Sequence, residues 1–245
     1  MMLVTGGSGK LGRALQAVFL HAAFPPRQEL DLLRREAVMS FVGTHRPSVV
    51  LHAAAYTSVR GAEENKRLCW ETNVRGTEWL VEALQVHVPT CYFVYVSTAC
   101  VFYGDRGPYT EEDVPHPKNF YGLTKLVGEY VACRLPSSLV SRTNFVAREP
   151  WPYPQAFVDR YGTYLYADDV ARALHEVIAH RLTGIVHIAG ADRLSMFELA
   201  RATTPTVEPI SMQKVSLPLT VDMTLGSIRM APYQLSRSQG SISAG

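Results

Sequence analysis

One-sided charge is missing from this chain. Its 24 Lys and Arg nearly balance 22 Asp and Glu, leaving a formal net charge of +2 over 245 residues. Such a balance gives no reason to expect a nucleic-acid or membrane-surface partner. Long apolar runs are missing too, so no segment reads as a membrane span, and no leader pattern precedes the first apolar stretch. Only four cysteines occur, Cys69, Cys91, Cys100 and Cys133, and none forms a C-x-x-C pair. Neither a zinc site nor a disulfide framework follows, and a reducing cytoplasm is the expected setting. The eight histidines include no H-x-x-x-H pair. They read as core or surface residues, and no metal site is expected.

What is present is an alternation. Met2-Leu3-Val4, Val49-Val50-Leu51-His52-Ala53, Cys91-Tyr92-Phe93-Val94-Tyr95-Val96-Ser97, Leu139-Val140-Ser141-Arg142 and Gly184-Ile185-Val186-His187-Ile188 read as strands. Helical patterns cover 11–20, 34–45, 69–86, 121–135 and 167–180, with a shorter one at 196–203. The expected fold is α/β: a Rossmann-type, doubly wound, mostly parallel sheet covered by helices. With 47% apolar residues the chain can build a sizeable core. The prolines of Arg148-Glu149-Pro150-Trp151-Pro152-Tyr153-Pro154 exclude helix and central strand there. That stretch suggests a boundary near Val146. The expected layout is a dinucleotide-binding domain over 1–146, then a small substrate lobe over 147–235, interleaved with the core. A Ser/Gly-rich tail over 236–245 is expected to be disordered.

The first strand runs into Thr5-Gly6-Gly7-Ser8-Gly9-Lys10-Leu11-Gly12. Gly6 permits a tight turn. Gly9 lets the backbone approach a pyrophosphate, Gly12 lets helix and strand pack closely, and helix N–H groups face the phosphates. The spacing is G-x-x-G-x-x-G, and an ordinary glycine-rich turn is the bland alternative. Far downstream stands Tyr121-Gly122-Leu123-Thr124-Lys125, whose Tyr121 and Lys125 share one helix face. A nearby cation stabilises phenolate, so Lys125 is expected to lower the pKa of Tyr121 and to reach a cofactor ribose. Thr98 follows a strand end, where open α/β sheets bind ligands, and its hydroxyl would hold a substrate carbonyl oxygen while Tyr121 protonates it. No side chain delivers a hydride, so a nicotinamide cofactor is implied. NAD sites often carry an acid about 20 residues past the glycines. Here Ala22-Ala23-Phe24-Pro25-Pro26-Arg27 occupies that zone, with no acid before Glu29. Arg27 either meets a 2′-phosphate or is an exposed loop residue, and NADP is the expected cofactor with NAD the alternative.

These stretches resemble an extended short-chain dehydrogenase/reductase of the dTDP-4-dehydrorhamnose reductase group. Further matches are Leu30-Asp31-Leu32, His52-Ala53-Ala54-Ala55-Tyr56-Thr57, Asn73-Val74-Arg75-Gly76-Thr77, Ser97-Thr98, Arg142-Thr143 and Tyr166-Ala167-Asp168-Asp169-Val170-Ala171. The resemblance implies that Gly6, Gly9, Lys10, Leu11 and Gly12 contact the cofactor diphosphate, and that Asp31 and Leu32 lie by the adenine. Ala53, Ala54, Ala55 and Tyr56 would line the nicotinamide-side ribose, and Asn73 would be structural or part of a proton relay. For Asp31 and Asn73 a helix cap or turn role is the alternative.

Departures stand beside the matches. The group usually reads Ser-Thr-Asp-Tyr-Val-Phe where this chain has Ser97-Thr98-Ala99-Cys100-Val101-Phe102. Its Val-Asp-Lys-Ala-Glu appears as Val59-Arg60-Gly61-Ala62-Glu63, and an Arg-Pro that helps bind the nucleotide diphosphate appears as Leu217-Pro218. The substrate region after Val146 is short. The resemblance implies reduction of a keto group on a sugar nucleotide. Dehydratases of this superfamily typically carry Thr-Asp-Glu, and Ala99 and Cys100 stand in place of those carboxylates, so a dehydratase is not the expected reading. A sugar-nucleotide epimerase stays open, and so does a non-catalytic regulatory subunit like methionine adenosyltransferase beta. Assembly as a homodimer is left open.

Overall fold

The structure, a computed structural model, describes residues 1–236. Its first part runs β1 (Met2–Thr5), α1 (Lys10–Val18), α2 (Arg35–His45), β2 (Val49–His52), α3 (Val59–Glu64) and α4 (Lys66–Trp70). A π-helical turn, Glu71–Arg75, leads into α5 (Gly76–His87), β3 (Tyr92–Thr98), a 3₁₀ turn at Ala99–Val101, α6 (Phe120–Ala132) and β4 (Ser138–Thr143). Then come β5 (Phe145–Val146), β6 (Gln155–Phe157), β7 (Tyr161–Gly162), β8 (Leu165–Tyr166), α7 (Ala167–Ala179) and β9 (Gly184–Ile188). The described chain closes with β10 (Leu194–Ser195), α8 (Met196–Arg201), β11 (Glu208–Ile210) and β12 (Asp222–Met223).

The main sheet has the order β1-β2-β3-β4-β9, and all its pairings are parallel. Its five strands are those expected from the apolar runs. All seven residues of β3 are buried, as a central strand covered on both faces requires. On the outer side of β1 a parallel bridge joins Leu3 to Ala23, so the chain after α1 passes along that edge without forming a strand. The chain leaves β1 first towards Ala23 and later, with β2, on the other side. This reversal of strand order places the ligand crevice of an open α/β sheet at the carboxyl end of β1.

Two helix packings matter for the crevice. Helix α7 buries Val170, Ala171, Ala173, Leu174 and Val177 at helical spacing, and its cluster also takes in Leu11 and Leu15 of α1. On the other face, Leu80, Val81 and Leu84 of α5 pack with Val38 and Val42 of α2 and Phe93 and Tyr95 of β3.

Three features differ from expectation. Helix α3 was not foreseen. The helix expected over 69–86 is present and runs without a break through α4, the π turn and α5, but it begins at Lys66 and carries a π turn at Glu71–Arg75 that was not foreseen, where the buried Asn73 side chain bonds to tertiary partners. Ser236, placed by sequence in a disordered tail, is held by Asp169 through its N–H at 3.3 Å and its hydroxyl at 2.6 Å. The rest of that tail, 237–245, lies outside the described residues. Beyond Val146 the chain supplies α7 and β9 to the main sheet, and its remaining short strands form small separate sheets. None of the helices described is long and apolar enough to cross a membrane.

Candidate active site

The loop after β1 is built by glycines with different jobs. Gly6 has φ +78°, and a Cβ there would fall 2.7 Å from the Ala54 nitrogen. At Gly12 a Cβ would fall 2.1 Å from the Gly6 carbonyl oxygen, so its absence is what seats α1 against the loop. A Cβ on Gly9 would meet only the Gly6 oxygen, at 3.3 Å. Gly9 also caps α1 without any side-chain acceptor, and the first turn of α1 carries no acid. The N–H groups that begin a helix have no internal partner, so here they are left for anionic oxygens.

This loop forms one wall of a cleft of about 950 Å³. Gly6, Gly9, Lys10, Leu11 and Gly12 all lie on it, as do Arg27, Asp31 and Leu32. Ala53, Ala54, Ala55 and Tyr56 continue the wall past β2. Thr98, Tyr121 and Lys125 face it from β3 and α6. Asn73 alone among the sequence-predicted site residues is not on the wall. It accepts the Tyr56 N–H at 2.6 Å and donates to the Tyr56 carbonyl at 3.0 Å and to Thr124 Oγ1 at 2.9 Å. Asn73 therefore ties the segment after β2 to α6 from behind.

The position of Tyr121 follows from the start of α6. Asn119 caps the helix by accepting the Gly122 N–H at 2.8 Å. Gly122 lies so close to the turn after β3 that a Cβ would stand 2.1 Å from the Cys100 carbonyl oxygen. That contact brings Tyr121 beside Thr98. Thr98 in turn accepts the Cys100 N–H at 3.2 Å, which fixes its hydroxyl.

Electrostatics amend one expectation. Burial pushes the Tyr121 phenol well above its ordinary value, the neighbouring Cys100 adds to this, and the Thr98 hydroxyl opposes it. Lys125 is not among the causes, so the expected lowering by Lys125 is absent here and desolvation wins. The phenol therefore holds its proton at neutral pH. Lys125 is itself buried, and desolvation lowers its ammonium to about 7, against the upward pull of Glu129. Its Nζ stands 4.0 Å from the centre of the Tyr95 ring. His52, between Thr5 Oγ1 at 2.7 Å and Thr77 Oγ1 at 3.0 Å, is lowered to about 3 by burial and by Lys125. It is a neutral structural histidine. Among the described residues no group of His, Cys, Asp and Glu is arranged to hold a metal ion.

Some residues around the site were not singled out from sequence. Glu129, one turn beyond Lys125, takes a bidentate pair from the buried Arg142, with N···O distances of 3.0 and 2.8 Å, and also accepts from Ser97 Oγ. This pins α6 to the carboxyl ends of β3 and β4. The continuing i, i+4 series Tyr121, Lys125, Glu129 carries a trace of it. Thr143, Asn144, Arg160, Tyr164, Met196 and Met223 complete the far wall of the cleft. Arg27 and Asp31 form an ion pair at 3.4 Å on the opposite rim. The absence of an acid before Glu29 therefore does not leave Arg27 unopposed.

A parallel sheet with a glycine loop at its switch point, and a Thr, Tyr and Lys on the facing wall, defines an extended short-chain dehydrogenase/reductase. The chain belongs to the RmlD substrate binding domain family, whose model matches residues 1–158. Among curated proteins, a dTDP-4-dehydrorhamnose reductase of Aggregatibacter actinomycetemcomitans is 31% identical over 231 residues, covering 82% of this chain and 77% of that protein. Methionine adenosyltransferase 2 subunit beta of Rattus norvegicus is 35% identical over 139 residues, which is 52% of this chain and 41% of that protein. The crystal structure of the dTDP-4-dehydrorhamnose reductase from Bacillus anthracis str. Ames in complex with NADP superposes with a TM-score of 0.86 at 24% identity, covering 96% of this chain and 94% of that one. At that identity the likeness concerns the fold.

Proposed function

We propose that this chain reduces a keto group on a sugar nucleotide, using NADPH, in the manner of a dTDP-4-dehydrorhamnose reductase. One observation carries the reading: Thr98, Tyr121 and Lys125 share a single cleft with the open Gly9 and the uncapped start of α1. The glycine loop fits a dinucleotide diphosphate, and a reduced nicotinamide bound there supplies the hydride. Thr98 Oγ1 orients the carbonyl oxygen. Tyr121, held protonated by its burial, gives its proton to that oxygen as the carbon is reduced, so the carbonyl becomes a hydroxyl. Lys125, on the Tyr121 face of α6, is the donor to the cofactor ribose, and at about 7 its ammonium gains or loses a proton near neutral pH. Asn73 and Glu129 hold α6 and the Tyr56 segment so that these groups stay in register.

Loss of NADPH absorbance over a panel of 4-keto sugar nucleotides tests this reading. Turnover that vanishes in Tyr121→Phe supports it, and NADPH binding without turnover on any member of the panel counts against it. The match to methionine adenosyltransferase 2 subunit beta favours one second reading, a cofactor-binding regulatory subunit. Turnover by the isolated chain decides between the two.

A further inference from the structure

Arg160 stands immediately before β7, and only 9% of it is exposed. It lines the cleft opposite the glycine loop. Its Nε donates to the Thr220 carbonyl at 2.9 Å. Its two terminal nitrogens meet thioethers, Nη1 with Met196 Sδ at 3.2 Å and Nη2 with Met223 Sδ at 3.4 Å. Thioether sulfur is a weak acceptor. Among the described residues no carboxylate lies within ion-pair reach of this guanidinium, whereas twelve other ion pairs are formed. A buried cation without a counter-ion is costly, and an arriving anion removes that cost.

Two more groups on the same wall are unfinished. The Tyr164 hydroxyl and the Thr143 hydroxyl are buried and have no hydrogen-bond partner, and both residues line the cleft. Tyr164 lies close enough to Arg160 to feel its charge. Thr143 is the register partner of Thr98 across β3 and β4. A row of contacts spans the gap between the two walls: Thr98 Oγ1 to the Cys100 nitrogen at 3.2 Å, Cys100 Sγ to Met223 Sδ at 3.6 Å, and Met223 Sδ to Arg160 at 3.4 Å. In a 4-keto sugar nucleotide the carbonyl carbon and the phosphate-bearing anomeric carbon occupy opposite corners of the ring.

We propose that Arg160 is the anion anchor of the substrate half of the cleft, receiving the diphosphate of the sugar nucleotide while the opposite corner of the ring meets Thr98 and Tyr121. The inference rests on the reductase reading for its choice of anion. Arginine presents paired N–H groups that match phosphate oxygens. Its loss of contact to sulfur on binding is small beside what a charge-assisted pair supplies.

The test titrates inorganic pyrophosphate, dTDP and thymidine into the protein with saturating NADP⁺, so that the glycine loop is filled. The wild type should bind pyrophosphate and dTDP. Arg160→Gln should weaken both by roughly tenfold or more and leave thymidine and NADP⁺ affinity unchanged. A wild type that binds neither phosphate compound overturns the proposal, as does a folded Arg160→Gln with unchanged dTDP affinity. If the substitution instead weakens UDP-glucuronate while leaving UDP-glucose unchanged, the anion is a sugar carboxylate and the diphosphate assignment is wrong. Should Arg160→Gln not fold, phenylglyoxal labelling of the wild type replaces it. Protection of Arg160 by pyrophosphate supports the proposal, and labelling unaffected by pyrophosphate overturns it. Failure of the reductase reading is separate: pyrophosphate binding lost in Arg160→Gln, with no NADPH oxidation on any keto sugar nucleotide, leaves an anion site without the proposed reaction.

Discussion

Two buried arginines stand near the catalytic residues, and only one of them, Arg160, lines the cleft. Arg142, 1% exposed, is the penultimate residue of β4 and is saturated: Glu129 takes it bidentately, and Ser97 shares the carboxylate. Arg160, 9% exposed, has one carbonyl and two sulfurs. The first arginine is internal structure, closed against the helix that carries Tyr121 and Lys125. The second is a charge whose partner is not part of the fold. Around the catalytic residues, Asn73, Asn119 and Glu129 brace α6 through paired hydrogen bonds, whereas beside Arg160 the Tyr164 hydroxyl is left without a partner.

The largest effect expected is on the glycine loop. Gly12→Val places its side chain into the Gly6 carbonyl, so soluble, folded protein should be lost. Gly9→Val meets only that carbonyl at 3.3 Å and should fold with an unchanged melting profile while NADPH binding disappears. Normal NADPH titration of folded Gly9→Val would remove the loop from the cofactor site. Next is the braced arginine. Glu129→Gln leaves Arg142 buried without a counter-charge and should cost about 3–5 kcal/mol in chemical denaturation. Arg160→Gln should cost far less stability, since no such pair is broken; equal losses would erase the contrast between the two arginines. Tyr121→Phe should lower kcat by about 10²–10⁴-fold with unchanged NADPH affinity, read by steady-state rates and titration.

How much of this is legible in the sequence depends on how local the signal is. The glycine loop is one continuous stretch, and Tyr121 and Lys125 share a helical turn, so spacing alone brings them together. The five strands of the sheet are apolar runs that carry their own evidence. Glu129 with Arg142 and Arg160 with Met223 join residues far apart, and no period announces them. The π turn inside the continuous helix of α4 and α5 is illegible for the same reason: it carries Asn73, whose side chain bonds to Tyr56 and Thr124, far along the chain. The expected effect of Lys125 on Tyr121 failed because spacing shows proximity and hides burial.

Smaller effects sharpen the picture of the catalytic wall. The buried Lys125 ammonium, lowered to about 7 from 10.5, has lost its proton over a range where the unfolded lysine keeps it. Unfolding then binds a proton, so cofactor-free stability should rise with pH between 7 and 9, by at most about 1.4 kcal/mol per unit. Lys125→Met should flatten that slope in pH-dependent denaturation, and an unaltered slope would refute the lowered ammonium. Above pH 9 the raised thiols of Cys69, Cys91 and Cys133 act in the opposite direction, because the unfolded thiols lose protons first. The smallest effect concerns cofactor choice. Arg27→Ala should weaken NADPH by roughly tenfold or less and spare NADH, because Asp31 already neutralises part of its charge. Equal weakening of both cofactors would reduce Arg27 to a rim residue.

The central claim is that this cleft carries hydride chemistry on a sugar nucleotide, with the nicotinamide on the glycine-loop side and the carbonyl at Thr98 and Tyr121. A single-turnover experiment with NADPH deuterated at the transferable position, offered dTDP-4-keto-6-deoxy sugars, tests it most directly. The account predicts deuterium on the new carbinol carbon with the isolated wild type, and transfer slowed by about 10²–10⁴-fold with Tyr121→Phe although that variant still binds NADPH. Wild-type protein that binds NADPH but transfers no label to any keto sugar nucleotide would contradict it.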